Sequence, residues 1–424
     1  MARLIYTLAF YLAQPVVWLR LLWRSRKQPE YLAHLGERYG CYPQVAPDRL
    51  IWLHVVSVGE TRAAEPLIKA LLAAYPEHEL LMTHMTPTGR ATGGELIAKY
   101  GPRLHQAYLP YDLPGACRRF FAHFRPSLGL LMETELWPNL IDAAHRQDVP
   151  VLLVNARLSA RSQRGYRRVQ ALVHPALRQL SAVAAQTAAD ATRLAELGAQ
   201  DVKVFGNLKF DVTPSPDKLQ LGAQWRQALG KRPVWLAAST REGEEALILD
   251  AFTRMIPADA LLLLVPRHPQ RFAEVADLVT QRGLALCRRS DDALPDATTR
   301  VWLGDSMGEM PAYFSVADIA LIGGTLLPFG GQNLIEAAAC ACPVLVGPHT
   351  YNFAQATEDA LACGAARRID DAPGAADEAA RLLADREALQ GMRAAAIAFS
   401  QAHRGATART VALIREISAA GTAG

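Results

Sequence analysis

The sequence predicts an α/β protein with two doubly wound, Rossmann-like lobes that face a cleft, preceded by a membrane-anchor helix. Three observations support this prediction. The chain has 424 residues, whereas single hydrophobic cores stop growing at roughly 250 to 300 residues. Short apolar runs alternate with helical stretches, which is the pattern of parallel strands joined by helices. A polar stretch with two prolines at 211–218 separates two series of runs, so the lobes are predicted at 28–212 and 213–424.

The first 27 residues are predicted to form the anchor. Between residues 4 and 19 the chain is apolar and aromatic except for Thr7, Gln14 and Pro15. Because a straight crossing needs about 20 apolar residues, this helix is expected to span marginally or to lie among the lipid headgroups. An amphipathic helix buried in the first lobe is the alternative that the sequence leaves open.

The basic residues of this segment predict its orientation. Residues 1–27 hold five basic residues and no acid, and four of the five follow the apolar run. A cleaved secretory signal has its basic residues in front of that run, so an uncleaved anchor fits better. Positive charge after an apolar segment favours the cytoplasmic side of a membrane. The rest of the chain is therefore predicted to lie on the cytoplasmic side.

Composition argues against two classes of partner. The formal net charge of +4 comes from the first 27 residues alone, so the lobes offer no basic stripe for nucleic acid. The six cysteines lie apart, except for Cys340 and Cys342. These two point in different directions on a predicted helix, and no metal-ligand spacing occurs. Neither a nucleic-acid partner nor a metal site is expected.

The two sheets are predicted from the apolar runs. The first lobe has runs at 50–56, 79–84, 105–110, 127–132, 150–154, 182–186 and 202–206. The second lobe has runs at 234–238, 260–265, 284–288, 300–304, 318–323 and 343–347. The Ala-rich stretch from residue 375 is expected to form helices that pack on one of the lobes. Ligands of such folds bind outside the carboxyl ends of the strands, so the loops after these runs are the candidate sites.

Carboxylates follow two first-lobe strands. Glu60 opens a helix after the turn at 57–59, and we predict that it is a general base for an attacking hydroxyl. A carboxylate that only stabilises the helix start is equally compatible with this position. Glu133 and Glu135 follow another strand. Because residues i and i+2 diverge, we expect Glu133 to face the cleft and Glu135 to cap the next helix.

Basic residues follow two other first-lobe strands. Arg157 lies in the stretch 155–159 and Lys209 in the stretch 206–210. Either side chain can bind a phosphate on an acceptor or on a leaving group. Isolated cations at loop edges are, however, commonly only solvated.

Three loops of the second lobe predict a nucleotide site. Arg267 and His268 follow a very apolar strand, and Arg267 can bind a phosphate with two hydrogen bonds. The glycines of 304–310 and 323–336 let backbone amides approach a ligand. Asn333 and Glu336 share one face of the helix predicted at 333–341, where Glu336 can accept hydrogen bonds from ribose hydroxyls.

Several catalytic motifs are missing from the sequence. It has no Walker lysine loop, no G-x-G-x-x-G opening the first helix of a lobe, and no Asp-x-Asp pair for a metal-bound diphosphate. These gaps argue against a kinase, a dehydrogenase and a metal-dependent transferase. No cofactor is predicted.

The ordered motifs resemble the Kdo transferases of Gram-negative bacteria, which add 3-deoxy-D-manno-oct-2-ulosonic acid (Kdo) to the lipid A precursor. The resemblance covers nearly the whole chain. The matching boxes lie at 36–40, 57–60, 85–89, 109–112, 133–138, 155–159, 206–210, 266–269, 304–310 and 330–336. One departure is Gln332, where many members of that family have histidine.

The resemblance implies a function. It implies a metal-independent GT-B-type glycosyltransferase of the inner membrane that inverts the anomeric carbon of CMP-Kdo and transfers Kdo to the lipid A precursor (lipid IVA) during lipopolysaccharide core synthesis. Glu60 would be the base, and Glu133 and Lys209 would support the transition state. The positions that resemble the CMP-binding residues of the family are Arg267, His268, Met307, Gly308, Glu309, Asn333, Leu334, Ile335 and Glu336.

Two kinds of alternative stay open at this point. One is another enzyme of the same architecture, namely a sugar-nucleotide epimerase or a transferase that uses a nucleoside-diphosphate sugar. The other is a non-catalytic, membrane-bound sensor of nucleotides or lipids. An epimerase has no need of a membrane anchor.

Overall fold

The computed structural model describes residues 1–26, 28–211, 213–254, 259–402 and 404–422. The chain forms two compact units. The first unit contains the described residues up to Asp211 and those from Arg404 onward, and the second contains the residues between them. Lys27 and Val212, at which the predicted anchor and the predicted first lobe end, lie outside the described residues.

The first unit is built on a seven-stranded parallel sheet. Its strands are β1 Leu50–His54, β2 Glu79–His84, β3 Leu104–Tyr108, β4 Leu128–Met132, β5 Val151–Ala156, β6 Ala182–Ala185 and β7 Val202–Val204. Its helices are α1 Ala2–Leu12, α2 Gln14–Ser25, α3 Val58–Ala74, α4 Pro87–Tyr100, α5 Pro114–Phe124, α6 Pro138–His145, α7 Ala160–Arg168, α8 Gln170–Arg178 and α9 Ala188–Glu196. The strand order is β3-β2-β1-β4-β5-β6-β7.

The second unit repeats this architecture. Its helices are α10 Pro216–Leu229, α11 Glu244–Phe252, α12 Phe272–Gln281, α13 Met310–Val316, α14 Leu334–Ala339, α15 Ala354–Ala362, α16 Ala372–Ala384 and α17 Arg386–Ala402. Its strands are β8 Val234–Thr240, β9 Leu261–Pro266, β10 Leu286–Arg288, β11 Val301–Leu303, β12 Ile319–Ile322, β13 Val344–Val346 and β14 Ala366–Arg368. They pair in the order β10-β11-β9-β8-β12-β13-β14, and all pairings are parallel.

The apolar strands are covered on both faces, as their composition predicts. In the first unit one core packs β-strand side chains such as Trp52 against α5, with Phe120 and Phe121 around its ring. The opposite face packs Leu53 of β1 against Leu67 of α3. The prediction of two doubly wound α/β lobes is therefore confirmed.

The last helix departs from the predicted domain boundary. Helix α18, Ala406–Thr422, was predicted within the lobe 213–424 but packs on α3 in the first unit. Ile414 of α18 is fully buried in the same core as Leu67. The carboxylate of Asp211 accepts hydrogen bonds from the N–H groups of Gly405 and Thr407. The chain thus returns to the first unit because α18 covers apolar surface on that sheet.

Two local predictions also differ from the structure. The predicted linker 211–218 ends early because Pro216 begins α10, where a proline at the first helical turn loses no hydrogen bond. Strand β14 was not predicted. It is a three-residue edge strand whose Arg367 and Arg368 are exposed, so it lacks an apolar run.

The amino-terminal segment forms two helices, not the single helix that was predicted. Helices α1 and α2 are bent by 46° at Ala13. Pro15 opens α2 and has no N–H to continue the hydrogen bonds of α1. Among the described residues, no single helix has the length and apolarity to cross a membrane, although α1 and α2 together meet both requirements.

The two helices are only partly covered by the rest of the unit. Leu21 is buried against Tyr111 and Leu113. The hydroxyl of Thr7 and the side-chain amide of Asn139 in α6 are hydrogen-bonded at 3.1 Å. Most large apolar side chains of this segment are nevertheless exposed: Leu4, Ile5, Leu8, Tyr11, Leu12, Val16, Trp18, Leu19, Leu22 and Trp23.

Candidate active site

Each sheet has a point where the strand order reverses, and ligands of doubly wound folds bind at this switch point. In the first unit it lies between β1 and β4, and in the second between β8 and β12. Glu60 follows β1 and Glu133 follows β4. The two carboxylates that the sequence singled out therefore lie at the switch point of the first sheet.

Glu60 has a structural role at the start of α3. Ser57 is the N-cap of this helix, and its hydroxyl accepts a hydrogen bond from the N–H of Glu60. The Glu60 carboxylate accepts hydrogen bonds from the N–H of Val56 at 2.8 Å and from the Ser57 hydroxyl at 3.1 Å. This arrangement is a variant of the capping box in which the backbone N–H comes from Val56, the residue before the N-cap. It holds the carboxylate in one orientation at the end of β1.

The surroundings of Glu60 raise the pKa of its carboxyl. Burial raises the pKa of this carboxyl, and the charge of Glu133 raises it further. The hydrogen bond from Val56 and the charge of Arg157 act in the opposite direction. A carboxylate with a raised pKa is a stronger base than one in water.

Glu133 lies in a tight turn after β4. Its backbone has φ 58°, in the left-handed region that non-glycine residues seldom adopt. Its N–H donates to the carbonyl of Val154 at 3.0 Å, and its carboxylate forms an ion pair with Arg157 at 3.0 Å. Such strain is commonly found at functional sites. The structure thus joins two residues that the sequence only placed on neighbouring strands.

Glu135 was assigned a capping role that the structure contradicts. The N-cap of α6 is Trp137, and no side chain caps this helix. Burial raises the pKa of Glu135 to about 7, and the charges of Glu60 and Glu133 contribute to this increase. Glu135 is therefore a third member of the carboxylate cluster. Its proximity to Glu60 comes from the turn after β4, which spacing in the sequence does not reveal.

Two histidines lie beneath this cluster but are inaccessible. His54 and His84 are both fully buried, and their Nδ1 atoms contact the carbonyls of Thr83 and Val55. Burial lowers the pKa of His54 to about 3 and that of His84 to about 4. Both rings are neutral at physiological pH and cannot reach a ligand, so the carboxylates are the candidates for proton transfer.

Lys209 lies in a short 3-10 turn, Leu208–Phe210, that packs against α3. The N–H of Leu208 donates to the side-chain oxygen of Asn155 at 2.9 Å, so this turn is attached to the end of β5. Asn155 itself is buried and has φ 51°. Arg157, the ion-pair partner of Glu133, begins the loop after this strand. The predicted residues Glu60, Glu133 and Lys209 thus lie on adjoining loops of one sheet edge.

The box at 36–40 supports this edge from outside the sheet. Glu37 is buried, and its carboxylate accepts hydrogen bonds from the N–H of Tyr108 at 2.7 Å and from Arg90 at 2.6 Å. Arg38 is also buried, lies over the ring of Tyr108 at 4.0 Å and donates to the carbonyl of Met85. This box therefore fixes the loop that follows β2.

In the second unit, Arg267, His268 and Glu336 were predicted to bind the nucleotide. Arg267 and His268 follow β9, which adjoins β8. Burial and the neighbouring arginines lower the pKa of His268. Burial raises the pKa of Glu336, and the charge of Arg267 opposes this increase. Arg267 and Glu336 are therefore electrostatically coupled, although Arg267 lies in the loop after β9 and Glu336 in the first turn of α14.

The predicted residues of the loop after β11 differ in their surroundings. Met307 is exposed, and Gly308 has φ 74°. Glu309 is buried and forms ion pairs with Arg289 at 3.1 Å and with Lys218 at 3.4 Å. Burial would raise the pKa of Glu309, but the Ser306 hydroxyl and Arg289 lower it below its usual value. The carboxylate of Glu309 thus holds this loop in place.

Helix α14 is shorter than the predicted helix 333–341. Asn333 is its N-cap, and its side-chain oxygen accepts a hydrogen bond from the N–H of Ile335 at 3.0 Å. The side chains of Leu334 and Ile335 are buried. Only their backbone groups are therefore available to a ligand, and the N–H of Ile335 is already bonded.

Glu244 was missed by sequence reasoning. It is fully buried, and its carboxylate accepts hydrogen bonds from four backbone N–H groups, those of Arg241, Gly324, Leu326 and Leu327. These bonds connect the loop after β8 to the glycine-rich loop after β12, across the switch point of the second sheet. An acid at a helix start is the only sequence signal of this role.

Glu245, the next residue, positions a neighbouring loop. It is fully buried and forms two hydrogen bonds at 2.9 Å with Arg271, three residues after His268. The hydroxyl of Thr240 donates to the same carboxylate at 2.8 Å. Glu244 and Glu245 together fix the loops that contain the predicted nucleotide-binding residues.

The part of the chain that the structure describes contains no group of three or more His, Cys, Asp or Glu residues arranged to bind a metal ion. Of the three clustered carboxylates, Glu60 lies in the first turn of α3 and the other two lie in the loop after β4, and Arg157 accompanies them. Arg157 is the counter-ion of Glu133 in this cluster of carboxylates.

Comparison with known sequences identifies relatives over nearly the entire chain. Residues 33–212 match the family profile described as 3-deoxy-D-manno-octulosonic-acid transferase (kdotransferase). A protein named 3-deoxy-D-manno-octulosonic acid transferase from Bordetella pertussis is 46% identical over 424 residues, which cover 97% of this chain and 98% of the relative.

Solved structures with low sequence identity have the same fold. A glycosyltransferase from Rickettsia africae is 13% identical, with a TM-score of 0.54 over 89% of this chain and 99% of the other. A UDP-GlcNAc 2-epimerase from Neisseria meningitidis is 16% identical, with a TM-score of 0.54 over 87% of this chain and all of the other. At these identities the likeness concerns the fold alone, which is of the GT-B type. The fold does not distinguish a transferase from an epimerase.

Proposed function

Because the chain belongs to the 3-deoxy-D-manno-octulosonic acid (Kdo) transferase family, it is a glycosyltransferase that transfers Kdo, and we propose CMP-Kdo as the donor and the lipid A precursor as the acceptor. The observation that carries this proposal is the 46% identity over 97% of the chain. The carboxylate cluster at the first switch point supplies a candidate base for the acceptor hydroxyl.

The proposed reaction is a single displacement at the anomeric carbon of Kdo. Glu60 takes the proton of the attacking hydroxyl, whose oxygen forms the new bond to that carbon. The bond to the phosphate oxygen of CMP breaks, and CMP leaves with the electron pair. The capping box supports this role of Glu60 because it fixes the carboxylate before the substrate arrives.

Glu133 and Lys209 are proposed to support the transition state. The ion pair between Glu133 and Arg157 and the strained backbone of Glu133 fix a charged group beside Glu60. Lys209 is proposed to offset the negative charge that develops on the leaving phosphate. Its turn is attached through Asn155 to the end of β5, directly before Arg157.

The nucleotide is proposed to bind at the loops of the second unit. Arg267 and His268 would contact the phosphate, and Glu336 the ribose hydroxyls. Met307, Gly308, Asn333 and the backbone of 334–335 would complete the site. Glu309 would act through its ion pairs with Arg289 and Lys218, which fix the loop after β11.

The reaction is proposed to need no metal ion. A nucleoside monophosphate carries less charge than a diphosphate, so arginine and lysine side chains can stabilise it as it leaves. Transfer activity should therefore persist in excess EDTA. Activity that is lost in EDTA and restored by Mg²⁺ would contradict this part of the proposal.

Helices α1 and α2 are proposed to attach the enzyme to the cytoplasmic face of the inner membrane. Their exposed apolar side chains are accompanied by Arg20, Arg24 and Arg26, which suit anionic headgroups. Trp18 and Trp23 are residue types enriched at membrane interfaces. The 46° bend favours helices that lie in the interface over a straight crossing.

The test of the proposed function is incubation of the purified protein with CMP-Kdo and the lipid A precursor, followed by mass spectrometry of the lipid. We expect a mass increase of one or more Kdo units and the release of CMP. A matched reaction with a UDP-linked sugar is the control. Transfer of that sugar, or interconversion of the donor without any change in the lipid, would contradict the proposal.

A further inference from the structure

A cavity of about 620 Å³ lies between α1 and the helices α5, α6 and α8 of the first unit. This volume is in the range of small-ligand sites. The cavity lies at the junction where α1, with its exposed apolar side chains, meets the rest of the unit. None of the residues assigned above to proton transfer or to the nucleotide lines it.

Three arginines from separate parts of the first unit line this cavity. Arg3 comes from α1, Arg118 from α5, and Arg146 directly follows α6. The one acidic lining residue is Asp142, whose carboxylate is shared between Arg3 and Arg146. Arg118 is exposed and has no carboxylate partner among the described residues. The lining therefore has two positive charges in excess, which favours a ligand with a negative charge.

The surroundings of Arg3 destabilise its charge in the absence of such a ligand. Burial lowers the pKa of Arg3, and the charge of Arg146 lowers it further, whereas the charge of Asp112 opposes this decrease. An anion between the guanidinium groups would offset this repulsion. Guanidinium groups form paired hydrogen bonds with phosphate oxygens, so phosphate is the anion that this set of donors fits best.

The remaining wall of the cavity contains the polar residues Thr7, Asn139 and Gln179, and its apolar part continues onto the exposed face of α1. Leu4, Leu172 and Pro175 line the cavity, and the side chain of Leu4 is 63% exposed. Leu8, one helical turn further along α1, is also exposed. A ligand with a phosphate at one end and an apolar part at the other would therefore find a complementary surface in both places.

We propose that this cavity binds the headgroup phosphate of an anionic glycerophospholipid, with the acyl chains lying along Leu4 and Leu8 of α1. This proposal rests on the proposed attachment of α1 and α2 to a membrane surface. A bound lipid would fix α1 against α6 and thereby hold the enzyme in one orientation on the bilayer.

The experiment is a calorimetric titration of the full chain with monomeric dihexanoyl-phosphatidylglycerol, kept below its micelle concentration. We expect saturable binding of one lipid per chain. The double variant Arg118→Gln and Arg146→Gln should weaken this binding at least tenfold. The control variant Arg386→Gln and Arg415→Gln removes two exposed charges from α17 and α18, outside the cavity, and should change the affinity less than twofold.

Three results would overturn the proposal. Equal losses in the two double variants would mean that the lipid responds only to overall charge. Inorganic phosphate that displaces the lipid at equal concentration would mean a site for free phosphate. A rise in the KM for the lipid A precursor in the cavity variant, with unchanged binding of phosphatidylglycerol, would assign the arginines to the acceptor.

The titration is independent of turnover. If the proposed function failed, no Kdo would be transferred, yet the lipid would still bind. If the cavity proposal failed, the cavity variant would transfer Kdo and bind the phospholipid as the unchanged protein does. The thermal unfolding midpoint of each variant shows whether it is folded. This midpoint should change little, because Arg118 and Arg146 are both exposed.

Discussion

At the scale of single residues, the candidate base of this enzyme is also part of the fold. The carboxylate of Glu60 closes a capping box with Ser57 and the N–H of Val56. The sequence presented these as alternatives, a helix-capping acid or a base. The structure shows that one carboxylate can serve the helix and still lie beside Glu133 and Glu135 at the switch point.

The variant Glu60→Gln separates the two roles. Glutamine at the third helical position also completes a capping box, so stability should change by less than about 0.5 kcal/mol. Glutamine cannot accept the proton of the acceptor hydroxyl, and we expect kcat to fall by at least about 100-fold. Urea unfolding would measure the stability, and transfer kinetics would measure kcat. Calorimetry would show whether CMP still binds.

The matched control for this variant is Glu95→Gln on α4, which removes an exposed carboxylate whose partner is Arg62. It should leave kcat unchanged. If Glu60→Gln kept normal turnover, the base would have to be another group. A loss of CMP binding would instead place Glu60 in the donor site.

Glu135 makes a pH dependence testable. Burial, with the charges of Glu60 and Glu133, raises its pKa from 4.5 to about 7 in the folded protein. The folded state then binds the proton more tightly than the unfolded state between these values. The stability from this group is fully present below pH 4.5 and is lost as pH rises through about 7, by at most about 1.4 kcal/mol per pH unit.

The variant Glu135→Gln should therefore become more stable relative to the unchanged protein as pH rises from 5 to 8. Urea unfolding at several pH values would measure the difference. Glu95→Gln is again the control, and its free energy of unfolding should change with pH as that of the unchanged protein does. Parallel curves for Glu135→Gln would show that this carboxyl titrates normally in the folded state.

At the scale of elements, the loops of the second unit that are proposed to bind the nucleotide depend on a residue that would not itself contact the nucleotide. Glu244 is the first residue of α11, and its carboxylate accepts hydrogen bonds from four N–H groups in the loops after β8 and β12. Close approach is required there, because a side chain at Gly323 would meet the carbonyl of Ser239 at 2.4 Å. Glu244 is thus a positioning residue for the glycine-rich loop.

The variant Glu244→Gln places an amide donor among those N–H groups and leaves at least one of them without an acceptor, at a cost of roughly 1 to 3 kcal/mol. We expect the dissociation constant for CMP to rise about tenfold and the KM for CMP-Kdo to follow. The kcat at saturating donor should change much less. Calorimetry with CMP and initial-rate kinetics would measure these quantities.

Glu242→Gln is the control, since Glu242 lies in the same loop but is exposed. It should bind CMP normally. A folded Glu244→Gln protein with unchanged CMP affinity would mean that the glycine-rich loop keeps its conformation without this carboxylate, or that it does not contact the nucleotide.

The elements that the sequence predicted well are those with a continuous apolar run. Thirteen strands were predicted, and each has its counterpart among β1 to β13. Strand β14 was not predicted because it is a short edge strand with exposed arginines and has no apolar run. Glu60 and Glu133 could be found because they follow such runs directly. Glu244 could not, because its partners Gly324 and Leu326 lie some eighty residues away and only the fold brings them together.

At the scale of the whole molecule, both ends of the chain belong to the first unit. Helix α18 returns to pack on α3, and α1 is attached to α6 by Thr7 and Asn139. An Ala-rich helix that could cover either lobe gives no sequence signal of which one it chooses. The apolar, basic amino terminus predicts attachment to a membrane surface, which stays a prediction, whereas the bend at Ala13 was not predicted although Pro15 is its signal in the sequence.

The surface of α1 and α2 permits a sharper test of membrane attachment than deletion of the segment. Deletion would also uncover Tyr111 and Leu113, which pack against Leu21. Leu19 and Trp23 are 67% and 63% exposed, so the double variant Leu19→Asp and Trp23→Ser should fold normally. Burial of an exposed apolar side chain in the membrane contributes roughly 1.5 to 3 kcal/mol. We therefore expect co-sedimentation with phosphatidylglycerol-containing vesicles to weaken at least 100-fold.

The matched control is Leu247→Asp, which changes an exposed leucine of α11 in the second unit and should sediment with vesicles as the unchanged protein does. Transfer to an acceptor in detergent micelles should persist in both proteins if α1 and α2 serve attachment alone. Unchanged sedimentation of the double variant would show that another surface binds the membrane. Loss of transfer in detergent, with the protein still folded, would instead mean that α2 contributes to the acceptor site.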